Sequence, residues 1–184
     1  GNMPQLYFSL FVMALCYQVW GELDKSDQCI KEALDISKGL DDWTIISNAW
    51  LTGSVYFHRG DYVKAREVLE KWLEDAEKGG YKYNISSSFT LSQTYIELGE
   101  IEKAKKLIDS RYELTLQGKD RGLIASADAL RGMQFRAERK WQESIDKFEK
   151  SLRESEAINP RHSEDYEFAE LLVEYARVYL ERGQ

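Results

Sequence analysis

Five short segments repeat one pattern along the chain: Tyr17-Gln-Val-Trp-Gly21, Tyr56-Phe-His-Arg-Gly60, Tyr95-Ile-Glu-Leu-Gly99, Phe135-Arg-Ala-Glu-Arg139 and Tyr179-Leu-Glu-Arg-Gly183. Their aromatic residues stand 39, 39, 40 and 44 positions apart. Three residues before each aromatic sits a small residue (Ala14, Gly53, Ser92, Gly132, Ala176), and a second small residue follows in four copies at Ser26, Ala65, Ala104 and Ser144. A period of that length is one supersecondary unit that cannot bury its apolar face alone, so the chain must stack copies of it.

The pattern spells a helix hairpin. Small residues on both members let helix A and helix B approach closely, and the aromatic one turn later fills the space beside them. Glycine closes helix A because a left-handed residue there costs it almost nothing. Asp24, Asp61 and Glu100 lie near the start of helix B, where carboxylates complement the helix dipole. Ile30, Leu69, Ile108 and Phe148, then Leu34, Leu73, Tyr112 and Leu152, continue a buried stripe at helical spacing. Further breaks at 39–42, 79–80, 118–120 and 159–160 separate one hairpin from the next. The spacing predicts nine helices over 4–20, 23–38, 43–59, 61–78, 82–98, 100–117, 121–138, 140–157 and 163–182, with no strand. They form a single repeat array over 4–184, with repeats at 4–39, 43–79, 82–118 and 121–158 and a half repeat at 163–184.

These residues resemble the tetratricopeptide repeat family. Gly53 to Ala65 carries its small-x-x-aromatic-x-x-x-Gly-x-aromatic-x-x-Ala core closely, and the other copies carry it in part. The resemblance implies an all-α, right-handed superhelical solenoid of antiparallel helix hairpins. It implies a scaffold for other proteins and, because such scaffolds serve unrelated tasks, names no single role. The period exceeds the family's usual value of about 34 residues, as in the long repeats of kinesin light chains and of regulatory regions in signalling ATPases and transcriptional activators. The site where the family favours alanine on helix B holds Ala33, Trp72, Arg111 and Ser151, which points to irregular packing with Trp72 wedged at one junction.

The resemblance also places the A helices on a concave face. The groove would be lined by Phe8, Phe11, Val12 and Leu15 in the first repeat, Trp50, Leu51 and Phe57 in the second, Phe89 and Gln93 in the third, and Met133 and Arg136 in the fourth. The carboxylate clamp of the family needs Lys, Asn and Arg on this face, whereas Phe11 and Leu15 stand where Lys and Asn would be. An apolar helix or extended segment of a protein is the better-matched ligand, with Gln93 and Arg136 as polar anchors. The same apolar stripe would equally serve as a packing surface for a further domain or a second copy. A sensor or regulatory segment of a multidomain ATPase, cyclase or transcriptional regulator is the alternative role.

Composition narrows the rest. With 32 acidic and 25 basic residues the chain has a formal charge of -7, contrary to what a nucleic-acid backbone requires. Two cysteines cannot staple 184 residues, and Cys16 and Cys29 read as buried small hydrophobes in a cytoplasmic protein. His58 and His162 fall in no metal-ligand spacing, and no phosphate loop or nucleophile elbow is present. No enzyme activity and no cofactor are expected. The cluster Lys103, Lys105 and Lys106 reads as a solvated, salt-bridged face. The apolar run Leu6 to Tyr17 is too short to span a bilayer and fits the repeat register, so no membrane association is expected. Its lack of an upstream cover points to a piece of a longer protein, or to a homodimer formed through the uncapped first repeat.

Overall fold

The computed structural model describes residues 3–38, 42–80, 85–118, 121–158 and 166–183. Their secondary structure is helical: α1 (Met3–Val19), α2 (Leu23–Ser37), α3 (Asp42–His58), α4 (Tyr62–Lys78), α5 (Ile85–Glu97), α6 (Ile101–Gly118), α7 (Arg121–Ala137), α8 (Trp141–Ile158) and α9 (Tyr166–Arg182). Each boundary flanked by described residues lies within one residue of the sequence expectation. The expected helix starts at 82–84 and 163–165, the breaks at 39–41, 119–120 and 159–160, and His162 lie outside the described residues. The chain divides into two compact units, Gly1–Lys82 holding α1 to α4 and Tyr83–Gln184 holding α5 to α9.

One turn recurs four times and makes the hairpins. In the first copy the Glu22 N–H donates to the Tyr17 carbonyl at 2.8 Å and the Gly21 N–H donates to the Gln18 carbonyl at 3.0 Å. The same pair of bonds joins Asp61 to Tyr56 and Gly60 to Phe57, Glu100 to Tyr95 and Gly99 to Ile96, and Lys140 to Phe135 and Arg139 to Arg136. This is the Schellman geometry, which satisfies the orphan carbonyls at the end of a helix. It requires a left-handed residue, and φ is +73° at Gly21, +76° at Gly60 and +72° at Gly99. In the fourth copy Arg139 takes φ +59°, the one non-glycine residue with positive φ among those described. An L side chain in that conformation costs about 1–2 kcal/mol.

Small residues then bring the two helices together. A Cβ on Gly53 would lie 2.5 Å from Leu69 Cγ, and one on Gly132 would lie 3.0 Å from the Phe148 ring. Where helix B carries serine, the contact gains a hydrogen bond. Ser26 donates its hydroxyl to the Ala14 carbonyl at 2.9 Å, and Ser144 donates to the Gly132 carbonyl at 2.7 Å. A lysine also lies over the repeat aromatic in each hairpin: Lys25 over Tyr17, Lys64 over Tyr56, Lys103 over Tyr95 and Lys140 over Phe135, at 5.4–5.6 Å. The first three also pair with the acid that opens helix B, at 3.2 Å to Glu22, 2.7 Å to Asp61 and 2.7 Å to Glu100.

Each unit has its own core. In the first, Leu10, Ala14, Ile30, Ala33, Leu51 and Val55 pack together, and Trp72 is buried among Ala49, Trp50, Leu73 and Ala76. In the second, Ile108, Leu130, Met133, Ile145, Phe148, Leu171 and Val178 form the core. Beside it Asp128 of α7, fully buried, ties three helices together. It pairs with Lys147 and, at 2.8 Å, with Lys150 of α8, and accepts the Tyr112 hydroxyl of α6 at 3.1 Å. Burial alone would raise its pKa, but hydrogen bonds from Lys147 and Lys150 outweigh that and hold the carboxyl below the usual aspartate range.

Two stability measurements check this account. Gly53→Ala should lower stability by about 1–3 kcal/mol through overpacking against Leu69, and Gly60→Ala by about 1–2 kcal/mol through backbone strain alone, because open space surrounds Gly60. Adding Leu69→Ala should then cost less in the Gly53→Ala background than in wild type, yet add independently to Gly60→Ala. Urea midpoints of the single and double variants separate the two mechanisms, and equal coupling in both pairs would refute the distinction.

Asp128→Asn removes a carboxylate with a lowered pKa. Its contribution is whole above the unfolded value of 3.8 and is lost as pH falls through the lower folded value. The variant should be less stable at neutral pH by about 1–3 kcal/mol. Its stability should also fall less steeply than wild type between about pH 4 and 2. Parallel acid limbs in the two proteins would show that the carboxylate is not held in its charged form.

Candidate functional site

The first helix has the composition of a contact surface. From Met3 to Val19 it carries no charged side chain. One stripe of it, Leu10, Ala14 and Gln18, is buried. The remainder leaves Leu6, Phe8, Val12, Met13 and Val19 exposed, with Phe8 at 65% and the following Trp20 at 70%. Phe11 and Leu15 are half-buried against the first unit's core, with the Phe11 ring 6.1 Å from the rings of both Tyr7 and Trp50. Trp50 and Phe57 of α3 are also half-buried. Phe8, Phe11, Val12, Leu15, Trp50 and Phe57 thus retain accessible surface in one unit.

The other expected groove residues sit elsewhere. Leu51 and Met133 are both 0% exposed and belong to the two cores, so neither can line a groove. Leu51 packs with Leu10, Ala14 and Ile30 of α1 and α2, and Met133 with Ile108, Ile145, Phe148 and Val178. Phe89 is half-buried and packs against the second core, and Gln93 is buried. Arg136 is 6% exposed and committed inside the protein: it donates to Glu174 at 3.0 Å and to Glu181. It cannot serve as a freely available anchor. Cys29 is buried, which pushes its thiol pKa up, but Cys16 is exposed, contrary to expectation, because its position on α1 faces away from the buried stripe.

Sequence reading missed a charged constellation around Arg136. In the second unit a cavity of about 770 Å³ opens among α5 to α9, lined by Arg136, Arg139, Arg177 and Arg182 and by Glu97 and Glu181. Arg177 pairs with Glu97 at 2.9 Å and Glu174 at 3.0 Å. Glu174 lies behind this wall, 2% exposed, and its burial pushes its pKa up despite the opposing guanidiniums of Arg136 and Arg177. The partners of Arg136 lie 38 and 45 positions along the chain, so no local spacing signals them. The arginines themselves were legible: Arg139 is where the repeat calls for glycine.

Among the described residues no group of three His, Cys, Asp or Glu side chains could hold a metal ion, and no helix is long and apolar enough to cross a membrane.

The tetratricopeptide repeat family model matches residues 85–109, which cover α5, the turn at Gly99 and the first half of α6. A search of curated protein sequences finds no match. Among solved structures, BtubC (BKLC) from P. vanneervenii is similar with a TM-score of 0.69 at 18% identity, over 95% of this chain and 72% of that one. The nearly identical TPR-like repeats of a Podosopora anserina protein named as a kinesin light chain superpose with a TM-score of 0.66 at 19% identity, over 100% of this chain and 90% of that one. A variant of that protein gives 0.66 at 18% identity with the same coverage. Together with the fourfold turn and the small-residue crossings, these likenesses show a match to the tetratricopeptide repeat at residues 85–109 and an all-α helical-repeat fold for the chain.

Proposed function

We propose that the chain is a protein-binding scaffold that holds an apolar helix of its partner on α1 and α3 and performs no chemistry itself. The observation that carries this reading is the charge-free α1, whose exposed Phe8 and Val12 continue into the half-buried Phe11, Leu15 and Trp50. Large apolar side chains contiguous on a surface mark interaction sites, and a helix laid along such a stripe buries its own i, i+3, i+4 anchors. Repeats of this type generally mediate protein–protein contacts, which agrees with the reading.

The test is selection of amphipathic helical peptides by the purified chain from a displayed library, followed by titration against variants. Phe8→Glu and Val12→Glu lie at exposed positions, so each should leave the melting temperature of the free chain within about 2 °C of wild type. Each should weaken a selected peptide about tenfold or more, the loss expected on placing a charge in an apolar contact. Equal affinity of wild type and both variants would refute the site. Light scattering of the wild type covers the rival occupant: a dimer that Phe8→Glu dissociates would assign the stripe to a second copy of the chain instead.

A further inference from the structure

Arg139 occupies the left-handed position that glycine fills in the three earlier hairpins, and its φ of +59° is a strained conformation for an arginine. Strain kept where a cheaper residue would serve points to a use for the side chain. That side chain lines the cavity described above, together with Arg182, and neither has a carboxylate partner among the described residues. The other two guanidiniums, Arg136 and Arg177, are already paired with Glu174, Glu181 and Glu97. Counting Glu174, four arginines face three carboxylates, a local positive excess in a chain whose net charge is -7. Ile101 and Trp141, the first residues of α6 and α8, also line the cavity, so two positive helix ends border it.

We propose that this cavity binds an acidic peptide segment, with Arg139 and Arg182 receiving its carboxylates. A volume of about 770 Å³ falls in the range of pockets that take a ligand of many atoms rather than a single ion, roughly 300–1,000 Å³. Ile96, Ile101 and Trp141 give the wall apolar surface for the peptide's aliphatic groups, which a lone anion would leave uncovered. The cavity lies in the other unit and shares no residue with the α1 stripe, so each proposal can fail without the other.

The probe is a fluorescein-labelled peptide, blocked at both ends, that alternates glutamate with leucine, compared with its glutamine–leucine counterpart by fluorescence anisotropy. The acidic peptide should bind at least about tenfold more tightly than the glutamine version, and more weakly as salt rises. Arg139→Gly should weaken it about tenfold while raising the melting temperature by about 2–6 °C, because relief of strain and loss of the ligand group have opposite signs. Arg182→Gln should weaken binding similarly with the melting temperature unchanged. A stabilised Arg139→Gly that binds the peptide as wild type does would overturn the proposal. So would the absence of acidic-peptide binding at millimolar concentration, or inorganic phosphate displacing the peptide at equal concentration, which would mark a small-anion site. Loss of this binding with helix capture on α1 intact would sink this inference and leave the scaffold reading standing.

Discussion

Everything in this fold depends on reversing a helix within one tight turn while leaving no carbonyl unsatisfied. The two bonds from Gly21 and Glu22 back to Gln18 and Tyr17, repeated at three further turns, do both at once. Because the carbonyl that receives the bond spanning five residues belongs to the repeat aromatic, the turn fixes where that ring stands. In the first three copies the residue that donates the bond is the acid opening helix B, and the lysine three residues later reaches back over the ring. Turn, cap and ring contact are therefore one linked unit, and the close approach of Gly53 to Leu69 follows directly from the geometry it imposes.

Local chemistry of that kind leaves a periodic trace, which is why helix boundaries could be read from glycines, aromatics and small residues alone. The lysine row was equally periodic, since Lys25, Lys64 and Lys103 stand 39 positions apart, but it resembled ordinary surface charge. What periodicity could not supply was the side of a helix that a neighbour would cover. Trp50 and Leu51 are adjacent and both apolar, yet one keeps accessible surface and the other keeps none. Likewise Arg136 looked like a polar outpost on helix A, because its carboxylate partners sit on α9. Contacts between elements distant in sequence decide such cases, and they leave no signature at short spacing.

Asp128 and Glu174 show how the same burial is resolved in two ways. Both carboxylates are almost inaccessible, and for both burial is the largest influence on the pKa. Asp128 receives hydrogen bonds from two lysines, and these win, so the charged form is retained as a fixed tie from α7 to α8. At Glu174 the attraction of Arg136 and Arg177 falls short of the desolvation, with Glu97 adding to the rise. The α7–α8 pair is thereby locked by charge. The α7–α9 contact holds its carboxylate against the cost of leaving water, a cost that pairing need not recover.

That contrast bears on why a cavity exists beside α9. A hairpin whose turn holds glycine leaves open space at the turn, as at Gly21, Gly60 and Gly99, where an added Cβ would meet nothing within 4 Å. Placing arginine there in the fourth copy introduces a long cationic side chain at the edge of the helix ends rather than into the core. Its charge then meets those of Arg136, Arg177 and Arg182, and like charges gathered in one wall repel unless anions offset them. Glu97, Glu174 and Glu181 offset part of the repulsion through their ion pairs with Arg136 and Arg177. A residual positive field beside an open space is the physical consequence, and a carboxylate supplied from outside would relieve the repulsion that the internal carboxylates leave.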